Sequence, residues 1–200
     1  MKLSIGQLEA ARRDPAAYLA ASQGSLIRSF SRRQQLHLSA WRYHSRGLDA
    51  ALAYLNQGYQ RNFRDLRPLP VLTAQLTNYV TAYTGSGLAA VRAPVWRTTI
   101  PTGEHQLTGR ISRVDMDPAE GYAAWIFDAA DTWQEELRFP LLQWYVASEL
   151  GADLSEVTVG RYSFDTAIYQ RTQFDAVHID AAFEEAQHVL AELIRHGWRS

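Results

Sequence analysis

Arginine carries the most evident chemistry in this chain. Among residues 1–67 there are eleven Lys or Arg against four Asp or Glu, while residues 68–200 hold nine against seventeen. A formal net charge of −1 thus hides a basic N-terminal third and an acidic remainder, and Lys2 is the single lysine. A guanidinium forks onto phosphate or carboxylate oxygens and stacks on flat rings, so Arg28, Arg32, Arg33, Arg42 and Arg46 can meet DNA, RNA or an acidic protein partner. The plainer alternative is that the two halves neutralise each other inside the fold. Other chemistries are poorly served. The absence of cysteine removes disulfides, thiolate zinc sites, cysteine nucleophiles and iron–sulfur clusters. Six histidines form no His-Glu-x-x-His pattern, and His37 and His44, seven apart, read as helix-surface or core residues. There is no P-loop or dinucleotide fingerprint, and Gly85-Ser-Gly87 lacks the context of a nucleophile elbow.

Two hundred residues with 46% hydrophobic and 20% charged composition suit one soluble domain. No run reaches the roughly 18 apolar residues of a membrane helix, and Met-Lys-Leu-Ser-Ile-Gly leads straight into an amphipathic helix without a signal core. A cytoplasmic protein without a membrane partner is expected.

Ser4 with Gln7 has capping-box spacing for a first helix, and Asp14-Pro15 opens a second. Residues 23–33 read as a Ser- and Arg-rich loop. Leu38, Trp41, Leu48, Leu52 and Leu55 recur at helical spacing from Gln34 to Phe63, with Gly47 and Gly58 as points of breakage and Pro68 and Pro70 as the end. Residues 71–83 form another helix. From there the pattern alternates: Val91–Ile100 and Gln106–Asp115 as strands joined by Pro-Thr-Gly-Glu, then an apolar strand at Tyr122–Phe127. A helix at Glu135–Leu150, a hairpin pair at Glu156–Phe164 and Ala167–Thr172, and a final helix capped by Asp180 complete the chain. The expectation is a single α/β domain, residues 1–87 mainly helical and 88–200 a mixed sheet flanked by helices. Of six tryptophans most belong in the core, with Trp133 and Trp198 near segment ends as possible exposed anchors for a partner.

Leu107-Thr-Gly-Arg-Ile-Ser-Arg-Val-Asp115 followed by Ala123-Ala-Trp-Ile-Phe-Asp-Ala-Ala130 resembles the core of the PD-(D/E)XK nuclease superfamily, in its RecB- and Cas4-like branch. That branch reads G-R-I-D-R-V-D and then D-Y-K-T. Leu3 to Tyr18 resembles its opening helix, with Asp14 at the usual Cys position, and Arg138 to Ala147 resembles the helix bearing its Gln-Tyr motif, with Gln143 two rather than four residues before Tyr145. Val157 to Phe164 looks like the strand that follows. The resemblance implies a restriction-endonuclease-like sheet and a cleft in which two carboxylates hold magnesium or manganese beside a lysine. By position, Ser112 replaces the metal-binding Asp, Ala130 replaces the Lys, and Asp128 alone matches. An engineered Ala130 would not account for Ser112. Asp115 lies an odd number of residues beyond Ser112, on the opposite face of a regular strand; Asp131 reaches the cleft only if the strand has ended.

These substitutions favour a pseudo-nuclease that binds DNA, RNA or a partner protein in a repair or phage-defence assembly, with no cofactor. One rival is an active metal-dependent DNA nuclease with relocated ligands around Asp128; the other is a purely structural subunit. Asp128 is otherwise a strand-end cap and Gln143 a buried backbone partner. Arg110 and Arg113 flank Ser112, and one of them is placed to neutralise Asp128 and turn a cation site into a phosphate contact.

Overall fold

The structure, a computed structural model, describes residues 2–22, 30–92 and 96–198. It begins with strand β1 (Lys2–Ser4) and helix α1 (Ile5–Arg13). The capping box forms as the spacing predicts: Gln7 N–H donates to Ser4 Oγ at 3.2 Å, and Ser4 N–H to Gln7 Oε1 at 3.0 Å. Asp14 Oδ1 accepts from Ala17 N–H at 2.9 Å and starts α2 (Pro15–Ser22). Of the expected loop at 23–33, residues 23–29 lie outside the described residues, Arg28 among them.

Helix α3 (Arg32–Asn62) is doubled. At Gly47 the backbone leaves the helical region (φ 80°, ψ 177°), a conformation glycine adopts without cost to a side chain. Residues 35 and 58 would stand about 35 Å apart on a straight helix. Instead Gln35 Nε2 donates to Tyr54 O at 3.1 Å, and a Cβ on Gly58 would lie 2.3 Å from the Gln35 amide. The arms 32–46 and 48–62 are therefore antiparallel. Gly47 breaks the run as expected; Gly58 stays helical and serves close approach instead. Helix α3 ends at Asn62, and Pro68 and Pro70 open α4 (Leu69–Gly85) rather than closing its predecessor.

The strands are β2 (Ala89–Arg92), β3 (Trp96–Thr102), β4 (His105–Ile111), β5 (Arg113–Asp117), β6 (Gly121–Phe127), β7 (Val157–Ser163) and β8 (Ile168–Thr172). Helix α5 (Arg138–Leu150) joins β6 to β7, and α6 (Ala176–Arg195) closes the chain. The expected single sheet is two mixed sheets, β1-β4-β3 and β2-β5-β6-β7-β8. The expected strand 106–115 is cut at Ser112, where the chain leaves β3 as partner and takes β6; Ser112 N–H donates to Trp125 O at 2.9 Å in passing. β6 and β7 run parallel, as a helical crossover requires, and the other pairs of the larger sheet are antiparallel. The molecule is thus α/β, with a helical N-terminal part.

Two apolar cores lie on opposite faces of the larger sheet. Ala124 and Ile126 of β6 join Leu8, Leu107, Phe139, Val146 and Leu190; Phe127 joins Leu36, Leu55, Leu76 and Tyr79. Strand β6 is accordingly apolar on both sides. The boundary expected near 87 falls between α4 and β2, yet β1 and α1 pack with the α/β part. Helix α6 is capped by Asp175, whose Oδ1 accepts from His178 N–H at 2.9 Å, and not by Asp180, which sits exposed inside the helix. Trp133 is buried and Trp198 packs partly buried against the first core, so neither is an exposed anchor. Among the described residues no helix is long and apolar enough to cross a membrane.

Candidate functional site: a filled carboxylate cleft and an arginine-lined cleft

Asp128 sits one residue past β6 with φ at 51°, in the left-handed region that Asp tolerates better than most side chains. Its N–H donates to Tyr162 O at 2.8 Å, and its Oδ1 accepts from Phe164 N–H at 2.9 Å. Oδ2 lies 2.8 Å from His37 Nε2 and 3.0 Å from Arg33 Nε, both reaching in from the first arm of α3. Arg33 also forks onto Asp165, with Nη2 2.5 Å from Oδ2. Asp128 therefore is a strand-end cap, and its counter-charge comes from Arg33 rather than from Arg110 or Arg113.

The other residues of the expected cleft have different employment. Ser112 Oγ accepts from Phe127 N–H at 3.0 Å and stitches the bend to β6. Ala130 is exposed and offers no donor. Asp131 pairs with Arg161 at 2.6 Å, and Arg161 Nη1 donates to Ala129 O at 3.0 Å, clamping the loop after β6. Gln143 is fully buried on α5: Nε2 donates to Leu154 O and Phe174 O, and Oε1 accepts from Phe174 N–H. It satisfies backbone, joining the approach to β7 with the approach to α6. This donor set does not suit a magnesium or manganese ion. Both oxygens of Asp128 are engaged by hydrogen-bond donors, and among the described residues no three His, Asp or Glu converge.

Asp115 and Arg113 share a face of β5 and both are buried, with side-chain exposures of 0%. Their closest contact is 2.7 Å. The Arg113 guanidinium also donates to Tyr79 Oη and, at 3.1 Å, to Tyr169 Oη, and its carbon lies 4.6 Å from the Tyr83 ring centre. Arg113 is sealed from solvent and is not a nucleic-acid contact, contrary to expectation. Burial works against its charge, but Tyr79, Asp115 and Tyr169 around it raise its pKa further. Burial raises the Asp115 carboxyl in spite of Arg113, and pushes Tyr169 up to about 12. His44 Nε2 lies 2.5 Å from Tyr79 Oη. Burial first, then the Arg113 charge, lower the His44 pKa to about 3. His44 is therefore neutral, and since Tyr79 accepts from Arg113 its hydroxyl proton goes to His44 Nε2.

The remaining arginines separate sharply. Arg32 lies 3.5 Å from Asp65, and Arg33 is committed as above. Arg42, Arg97 and Arg110 instead surround a cleft of about 390 Å³. Its walls are Leu38, Trp41, Arg42 and Ser45 from the first arm of α3, Tyr54 from the second, and Arg97 and Arg110 from the solvent face of β3 and β4. Arg97 and Arg110 are directly opposed cross-strand partners, where like charges repel. No carboxylate lines the cleft, and among the described residues none pairs with these three arginines. Trp41 Nε1 and Arg42 Nε are buried donors without an acceptor there. Arg110 also borders a hollow of about 590 Å³ at the start of α1, together with Gln34 and Arg138. Arg46 is exposed near the Gly47 turn. The arginine-rich helix made Arg42 legible. Arg97 was missed, and its signal was the register of a hairpin that places it opposite Arg110.

No family model matches the chain, and no curated protein matches it. Among solved structures it is similar to one described as "Crystal structure of SSO0001", with a TM-score of 0.36 and 10% identity. That match covers 93% of this chain and 84% of the other. A likeness this loose carries neither fold nor function.

Proposed function

We propose that this protein is a PD-(D/E)XK-like pseudo-nuclease that binds nucleic acid and does not cut it. On the resemblance, the larger sheet is a restriction-endonuclease-like core, and the setting is a cytoplasmic repair or phage-defence assembly. The observation that carries the reading is a contrast in pairing. Asp128, the one matching carboxylate, is capped by Phe164 N–H, contacted by His37 Nε2 and neutralised by Arg33, while Arg42, Arg97 and Arg110 converge with no carboxylate among them. Phosphate oxygens satisfy such an array, whereas both oxygens of Asp128 already have partners. The contact surface runs from Arg110 and Arg97 to Arg42 and Arg46.

The test is incubation of labelled single-stranded and duplex DNA and RNA with the protein, with and without manganese. Retention of intact strands at low salt is expected. Manganese-dependent cutting that Asp128→Ala abolishes would establish the nuclease instead. Failure to retain any nucleic acid, with tight co-purification of a neighbouring gene product, would favour a protein-binding subunit.

A further inference from the structure

We infer that the cleft between the folded-back arms of α3 and the β3–β4 hairpin is a nucleotide pocket, taking one unstacked ring together with its phosphate. The inference rests on the nucleic-acid reading for its polymer source, but the pocket stands on its own geometry. Its volume of about 390 Å³ falls in the small-molecule range of roughly 300–1,000 Å³. The cross-strand arginines Arg97 and Arg110 form a fork at the mouth whose mutual repulsion an anion would relieve. Arg42 is half-buried at the wall with its Nε lacking an acceptor, and the indole Nε1 of Trp41 lacks one as well. Two exposed cations at the mouth with a third guanidinium on the wall, and no carboxylate among them, describe a site for acceptor oxygens. Tyr54, which is 38% exposed and has the Arg42 guanidinium carbon 5.9 Å from its ring centre, and Trp41, partly buried against the second core, line the same cleft and supply the second half of the recognition. Aromatic faces take unstacked bases regardless of sequence. A duplex keeps its bases inside the stack and has no ring to offer.

Nothing in the cleft reads a base edge by a fixed acceptor–donor pair, so the ligand class is a nucleotide of any base. The phosphorylated ring has two sources, a free mononucleotide or the unpaired part of a strand.

The test is calorimetry on the full chain at low salt with adenosine 5′-monophosphate, and separately with adenosine and with inorganic phosphate. The nucleotide should bind at least about tenfold tighter than either half, since ring and phosphate contacts then act together. The double variant Arg97→Ala, Arg110→Ala should weaken it by a further factor of about ten or more, and Tyr54→Leu should weaken it without changing phosphate binding. Both arginines are exposed, so the variants fold, and a cooperative melting transition no lower than the parent's checks that. A short single-stranded oligoadenylate distinguishes the sources. If it binds and is displaced by the mononucleotide, the pocket holds part of a strand. If the mononucleotide alone binds, the pocket serves free nucleotides, and the polymer reading falls while this one stands. A mononucleotide that binds no tighter than inorganic phosphate, or equally well to the double variant, overturns the pocket even where oligonucleotide binding persists.

Discussion

Asp128 holds three groups at once: the Phe164 N–H, the His37 imidazole and the Arg33 guanidinium. Removing a part-buried acceptor leaves its donors unpaired, at about 1–3 kcal/mol. Asp128→Ala is therefore expected to lower stability by roughly that amount in chemical denaturation. Asp128→Asn should recover the part that belongs to the cap, because Asn keeps one acceptor oxygen for Phe164 N–H and tolerates the left-handed backbone, while its NH2 cannot accept from Arg33 or His37. Equal losses in both variants would mean that the charge, and not the cap, is what matters. His44 makes a second prediction at this scale. It is neutral in the fold, with its pKa lowered to about 3, and it protonates near the ordinary value of about 6.5 once unfolded. The unfolded chain thus binds the extra proton, so the stability His44 contributes is present above about pH 6.5 and lost as pH falls toward 3. The slope approaches about 1.4 kcal/mol per pH unit. Asp115, whose carboxyl is raised, acts in the opposite sense and from the acid end. A His44→Gln variant should flatten the pH dependence between 6.5 and 4; a curve parallel to the parent's would remove His44 from the account.

The β3–β4 hairpin and the doubled α3 are the elements that make the cleft. Their parts were unequally legible. Ser4 with Gln7, Asp14 with Pro15, the apolar run of β6 and the turn at Gly103 are local signals, and each of them formed. The transfer of the chain between sheets at Ser112 is not local: it depends on which strand each half finds as partner. The sequence pattern around 106–115 reads the same whether one strand or two results. The burial of Arg113 likewise depends on Tyr79, Tyr83 and Tyr169, brought together from α4 and β8. Nothing near Arg113 in the chain announces them. Cross-strand register decides the Arg97–Arg110 pair in the same way, and it gives a prediction for the element. Arg97→Glu places opposite charges across the hairpin and should stabilise the protein by about 0.2–1 kcal/mol while abolishing anion binding. Destabilisation would show that the opposed arginines are already satisfied, and a melting point that rises with unchanged binding would remove Arg97 from the anion site.

At the scale of the molecule, the basic N-terminal third does not neutralise the acidic remainder uniformly. Arg32, Arg33 and Arg12 find Asp65, Asp128, Asp165 and Glu185, so part of the positive charge is spent within the fold. Of the arginines outside those pairs, Arg42 meets Arg97 and Arg110 in the cleft between α3 and the smaller sheet, away from the sealed Arg113–Asp115 pair, while Arg61 and Arg64 lie at the far end of α3. A face of this kind attracts polyanions in a manner that salt screens. The α/β fold class could be read from residue order; the location of the basic face required the antiparallel arms of α3. The most direct measurement is the affinity for single-stranded DNA as a function of salt, for the parent and for Arg42→Ala, Arg97→Ala, Arg110→Ala combined. Each lost phosphate contact reduces the slope of log K against log salt by about 0.7, so a reduction of about 2 is expected, with weaker binding throughout. Identical slopes and affinities for the two proteins would contradict the assignment of this cleft as the site of contact.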